Sequence, residues 1–234
     1  MINVIENCKN ILNKIEIIRK NSLFKQEKIN CVCISKKQSF SDVQTLVSAN
    51  LFQKIMLGEN YVQECQNKLV NLIGNFELHL TGPLQSNKIK KAVKLFDVIQ
   101  TVNSVELANK INKTAKELNK IVKVFFQVNI SDDDNKHGFK SNYLLNHWQE
   151  LANFEQLEIV GLMTITRFYE NPEEARPDFI KLRELRDLIV KTYNLKKLSL
   201  SMGMSQDYKI AIEEGADYVR IGTAIFGERL DTTN

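Results

Sequence analysis

The sequence predicts a single α/β domain spanning residues 1–234, a TIM-type (β/α)8 barrel with an extra N-terminal helix. Three observations carry that prediction. Eight short runs rich in Val, Ile, Leu and Phe alternate with longer stretches of helical periodicity, the pattern of a closed parallel sheet. A chain of 234 residues that is 43% hydrophobic can bury one sizeable core, and it falls within the size range of such barrels. The first apolar run ends in Ser35-Lys36-Lys37, without the Gly-rich turn that an open, doubly wound sheet usually carries there.

The elements follow in order. Residues 2–20 place Ile5, Cys8, Ile11, Leu12, Ile15 and Ile18 at helical spacing, which predicts an amphipathic helix. Predicted strands cover 29–35, 54–58, 77–81, 98–101, 123–129, 158–163, 197–201 and 218–222. Between strands four and five, Asn103 and Glu106 read as a capping box ahead of Val105, Leu107, Ala108, Ile111, Ala115 and Leu118. Pro172, Glu173 and Glu174 open a helix with Phe179, Leu182, Leu185 and Leu188 on one face. Ser205 precedes a helix bearing Tyr208, Ile210 and Ile212, which Gly215 stops. Pro83, Pro172 and Pro177 mark no domain boundary, and no repeat or low-complexity run is visible.

Composition excludes several classes. Charged residues make up 26% of the chain, too mixed with apolar ones for a disordered polymer, and no apolar stretch is long enough to span a bilayer. The N-terminus lacks a basic region followed by an apolar run and a cleavage site, so the expected location is the cytoplasm. The net charge of +4 is mild and spread along the chain. Cys8, Cys31, Cys33 and Cys65 have no second pair or nearby histidine to complete a metal site, so they read as buried free thiols in a reducing compartment.

In a barrel, working residues collect at the carboxyl ends of the strands. Two of those ends suit a phosphate group. Gly203 with Ser205 after strand seven, and Gly222 with Thr223 after strand eight, combine glycines with hydroxyls at helix N-termini, where free N–H groups meet an anion. Each pair alone reads as a tight turn with an N-cap, but two at adjacent strand ends favour phosphate. Lys36, after the first strand, is on its own an ordinary solvated lysine beside Lys37. Across the mouth from a phosphate cradle it takes on a different meaning. Partial burial favours a neutral amine, which attacks an aldehyde to form a Schiff base. A phosphorylated aldehyde cofactor satisfies both features.

Four ordered blocks resemble one known family. They are Gly58-Glu59-Asn60-Tyr61-Val62-Gln63-Glu64, the run from His79 to Lys88 beginning His-Leu-Thr-Gly-Pro, Leu200-Ser201-Met202-Gly203-Met204-Ser205, and the run from Val219 to Gly227 beginning Val-Arg-Ile-Gly-Thr. Together they closely resemble the pyridoxal phosphate homeostasis protein family, over nearly the whole chain. The resemblance implies a fold similar to the N-terminal barrel of alanine racemase (the type III fold of pyridoxal-phosphate proteins). It implies pyridoxal 5′-phosphate (PLP) as cofactor, held as a covalent aldimine on Lys36. It implies a phosphate site at the Met204-Ser205 turn, Gly222 and Thr223, with Arg220 meeting the pyridine nitrogen and keeping it unprotonated. Asn60 and His79 are candidates to line the ring. Asn60 equally reads as a helix N-cap, and His79 as a strand residue facing the barrel interior. Lys136 and Gly138 also match a family position, where Lys136 is either a charge near the mouth or an ordinary solvated lysine. The chain departs from the family at Lys37-Gln38-Ser39, where Thr, any residue and Pro are usual, and at Gly215-Ala216-Asp217.

The resemblance implies a carrier or buffer of PLP that serves PLP-dependent apo-enzymes; a monomer is the simplest expectation for a barrel without the dimerising domain. Racemases of this class add a β domain that helps supply a second catalytic base, and only a short tail ending at Asn234 follows the last strand here. A weak amino-acid racemase or related enzyme is the alternative. Lys88, Lys90, Lys91 and Lys94 suggest a third reading, nucleic-acid binding, but a solvated helix face explains them, so no nucleic acid is expected.

Overall fold

The computed structural model describes residues 3–131 and 137–227, and these form the expected barrel. Parallel strands close in chain order: β1 Asn30–Ile34, β2 Ile55–Glu59, β3 Phe76–Leu80, β4 Val98–Val102, β5 Val122–Gln127, β6 Leu157–Met163, β7 Ser199–Met204 and β8 Tyr218–Ile221. β8 pairs back onto β1, with Val32 opposite Arg220 and Cys33 opposite Ile221. All the predicted strands are present. β7 runs past its predicted end at Ser201, because Met202 and Gly203 are buried and Met204 pairs with Arg220.

The helices around the barrel are α1 Val4–Asn21, α2 Phe40–Ser48, α3 Val62–Leu69, α4 Ile89–Leu95, α5 Val105–Glu117, α6 Ser141–Asn146, α7 Trp148–Ala152, α8 Arg176–Thr192, α9 Tyr208–Glu213 and α10 Thr223–Phe226. α1 starts where the Asn3 side chain accepts the Glu6 N–H at 3.0 Å. Glu6 in its first turn and Arg19 and Lys20 in its last complement the helix dipole. Its buried stripe of Val4, Cys8, Ile11 and Ile15 packs against α9, α10 and α2. Because α10 is one turn long, α1 covers the seam where β8 meets β1, and Asn7 Nδ2 ties it to the Ile225 carbonyl at 3.1 Å.

Three local expectations change. The cap of α5 is Ser104, whose hydroxyl accepts the Leu107 N–H at 3.1 Å, rather than Asn103. The chain is extended at Ser104, and Glu106 is committed to Lys110 instead of reaching back. On α8, Leu188 is 47% exposed and Ile189 takes the buried position, because the stripe drifts with the 3.6-residue turn. α9 is preceded by Asp207 rather than capped by Ser205.

The apolar core has two parts. A large cluster fills the space between sheet and helices. A small one, Val98, Phe125 and Met163 with Tyr218 against them, lies inside the barrel. Buried polar residues also occupy the interior, where branched apolar residues usually dominate: His79, Gln100, Ser201 and Arg220. The cysteines are buried free thiols. Among the described residues no helix is long and apolar enough to cross a membrane, and no His, Cys, Asp and Glu cluster fit for a metal occurs.

Candidate functional site at the upper mouth of the barrel

The carboxyl ends of the strands surround a cavity of about 360 Å³, a volume that suits a small cofactor. Lys36, Asn60, Met204, Ser205, Arg220, Gly222 and Thr223 all line it. Barrel closure brings the lysine and the cradle together. Because β1 pairs with β8, Lys36 and the Gly222–Thr223 turn rise from neighbouring strands, not from opposite sides of the mouth as the sequence suggested. A Cβ on Gly222 would stand 3.4 Å from the Ile34 Cβ.

The Ser205 hydroxyl accepts the backbone N–H of Gly222 at 3.2 Å and of Ala224 at 3.5 Å. It therefore sits where the donors at the start of α10 converge, and an anion at this spot would find both N–H groups and a hydroxyl. Asp207 shapes the turn before it, its Oδ1 accepting the Met204 N–H at 2.6 Å. Gly203 adopts φ +89, and a Cβ there would come within 2.5 Å of the Ala211 Cβ and 3.0 Å of the Tyr208 Cα. Its role is to let the end of β7 pack against α9 in a left-handed conformation.

Arg220 is 4% exposed. Its Nη1 donates to the Ser201 hydroxyl at 2.9 Å and its Nη2 to the Thr164 carbonyl at 2.7 Å. Burial pushes its pKa down to about 10, opposed by the Asp207 carboxylate. Among the described residues no carboxylate lies within ion-pair distance of it, so the cavity has a buried cation at its base that an anionic ligand would stabilise.

Asn60 lines the cavity and accepts the Thr81 hydroxyl at 3.1 Å through Oδ1. It caps no helix, since the cap position of α3 is Tyr61. His79 lies outside the cavity lining, in the barrel interior below it. Its Nε2 pairs with Glu77 Oε1 at 3.0 Å and its Nδ1 with Gln100 Nε2 at 2.8 Å. Gln100 Oε1 in turn accepts the Ser201 hydroxyl at 2.7 Å, so His79 reaches Arg220 through two intermediates. Gly138 adopts φ +146 beside Asn129, and Lys136 lies outside the described residues.

Sequence reasoning missed the wall formed by residues 165–169 after β6. Thr166 bonds Asp207 at 3.4 Å, and the Tyr169 hydroxyl donates to Asp178 Oδ2 at 2.9 Å. The Tyr169 bond anchors this loop to α8, and Asp178 also accepts the Ser131 hydroxyl at 2.7 Å, from the segment after β5. The position of these residues, directly after a strand, was the available signal.

Residues 43–230 match the model of the alanine racemase N-terminal domain family. A pyridoxal phosphate homeostasis protein of Aquifex aeolicus is 42% identical over 173 residues, 74% of this chain and 76% of that protein. Its counterpart in Haemophilus influenzae is 33% identical over 99% of this chain and 98% of its own length. The structure of PipY of Synechococcus elongatus with PLP bound superposes with a TM-score of 0.80 at 31% identity, covering 93% of this chain and all of that one. A closed barrel with its polar mouth at the β1–β8 seam, matched over most of its length by these proteins, places the chain in the pyridoxal phosphate homeostasis protein family, built on the alanine racemase N-terminal domain.

Proposed function

We propose that this chain binds PLP in the upper cavity, holds it as a Schiff base on Lys36, and serves as a cytoplasmic carrier or buffer of the cofactor. The observation that carries the reading is the convergence on one cavity of Lys36, the Ser205–Gly222 donor cluster and the buried Arg220. These residue types fit the group: an amine for its aldehyde, N–H and hydroxyl donors for its phosphate, and a buried guanidinium for the ring nitrogen. When bound, PLP supplies an aldehyde that condenses with amines and a ring that withdraws electrons. Gly222, Thr223 and the Met204–Ser205 turn would hold the phosphate, Asn60 would line the ring, and Lys36 would present its amine. The protein acts as a monomer and passes the cofactor to PLP-dependent apo-enzymes. The relative solved with PLP bound supports the ligand, and the buried free thiols suit a reducing compartment.

The test is the visible spectrum of the purified protein after addition of PLP, then borohydride reduction and peptide mapping. A pyridoxyl adduct on Lys36, absent from Lys36→Ala, is the expected result. A protein that stays colourless in excess PLP, or an adduct that persists in the variant, refutes the assignment. Turnover of an optically pure amino acid beyond stoichiometry would replace the carrier with a racemase.

A further inference from the structure

Lys36 follows β1 in a turn whose next residue, Lys37, is left-handed at φ +59. Such a conformation is uncommon for a residue with a side chain and needs support from its surroundings. Part of that support is local, the Gln38 N–H donating to the Ser35 carbonyl at 3.1 Å. The remainder comes from β2 and α3. Lys68 Nζ donates to the Ser35 carbonyl at 2.7 Å, lies 2.7 Å from Glu59 Oε1 and 3.3 Å from Glu64 Oε1. Glu59 Oε1 also accepts the Ser35 hydroxyl at 2.6 Å, and Glu64 Oε1 accepts the Lys37 backbone N–H at 2.6 Å. Lys36 is thus gripped on both sides: Ser35 by its carbonyl and hydroxyl, Lys37 by its N–H.

This cluster is costly for the fold. The Glu59 side chain is fully buried, that of Lys68 is 11% exposed, and Glu59 Oε2 has no hydrogen-bond partner. Buried ion pairs contribute little net stability because desolvation offsets their attraction. The three N–H donors of the ammonium match the three oxygens around it, and every one of those oxygens belongs to the turn or to a residue bonded to it.

We propose that Lys68, with Glu59 and Glu64, is a positioning residue for Lys36: it holds the Ser35–Lys37 turn in the one conformation that aims the Lys36 amine into the cavity. The inference rests on the assignment of Lys36 as the reactive amine. Lys68 does not touch the cavity, so its effect falls on amine placement and leaves the phosphate cradle intact.

The experiment compares wild type, Lys68→Met, Glu64→Ala and Glu64→Gln. Two readings are taken on each folded protein: the affinity for inorganic phosphate by calorimetry, and the rate at which PLP labels Lys36, fixed by borohydride and mapped by mass. Misplacement of a reacting group by an ångström lowers rates steeply. Lys68→Met and Glu64→Ala should label Lys36 slower by about tenfold or more with phosphate affinity unchanged. Glu64→Gln, which keeps the oxygen acceptor for the Lys37 N–H, should recover the wild-type rate. If Lys68→Met fails to fold, the Glu64 pair decides. Labelling at the wild-type rate in folded Glu64→Ala, or equal loss in Glu64→Gln, overturns the proposal. Acetic anhydride labelling of Lys36 relative to the exposed Lys90, in protein without PLP, makes the same comparison. It separates failure of the clamp from failure of the PLP assignment.

Discussion

Ser201 is the hinge of the polar interior: its hydroxyl accepts a hydrogen bond from Arg220 Nη1 at 2.9 Å and donates one to Gln100 Oε1 at 2.7 Å. With Gln100 Nε2 donating to His79 Nδ1 and His79 Nε2 donating to Glu77, every bond points from the cation at the upper mouth to a carboxylate at the lower end. Ser201→Ala leaves the Gln100 oxygen without its donor and Arg220 without one acceptor. Stability should fall by about 1–3 kcal/mol, read as a lower urea midpoint with unchanged slope.

Glu77 gives this chain a pH signature. The hydrogen bond from His79 holds its carboxyl down to about 2, from an ordinary value near 4.5, with Lys123 and Lys54 adding to the effect. A depressed carboxylate contributes stability that is fully present above its unfolded value and is lost as the pH falls through its folded value. The stability difference between wild type and Glu77→Gln should therefore shrink as the pH drops from about 4.5 to about 2. Parallel acid-denaturation curves would show that Glu77 adds nothing.

Ser205→Ala removes the hydroxyl at the centre of the proposed phosphate cradle and no apolar packing. The loss of one hydrogen bond to a charged group is about 1.5–3 kcal/mol, so PLP and inorganic phosphate should both bind roughly tenfold to a hundredfold more weakly. Calorimetry with each ligand checks this, and thermal stability without ligand should stay near wild type.

Gly203→Ala combines two penalties, a left-handed backbone and a Cβ driven into Ala211 and Tyr208. The expected loss is about 1–3 kcal/mol, and because α9 must shift from β7, phosphate affinity should fall with it. A denaturant midpoint and a phosphate titration on the same protein test both. Wild-type values for both would mean that α9 yields without cost.

Much of the fold was legible in the sequence because its signals are local. The apolar runs at 98–101 and 218–222 are too short for helices and sit between helical periods, so the alternation that specifies a barrel survives in one dimension. Most of the mouth was legible for a related reason: strand ends are where the chemistry of a barrel collects, and Lys36, Ser205, Gly222 and Thr223 all follow strands directly. Caps were less legible. Asn103 and Ser104 are both good caps, and only the extended backbone at Ser104 selects between them.

Tertiary structure decided the relationships between distant residues. Closure of the sheet set Lys36 beside the cradle instead of opposite it, since hydrogen bonding of β8 to β1 is a property of the whole ring and of no single segment. His79 meets Gln100 of the neighbouring β4 inside the barrel, below the cavity, because side chains alternate faces along a strand and register fixes which layer each one meets. The pairing of Lys68 with Ser35, Glu59 and Glu64 depends likewise on α3 folding back over the end of β1. The sequence by itself determined which residues could act and which element each belongs to. Their neighbours, and therefore their charge environment and aim, came from a network of long-range contacts that no local pattern encodes.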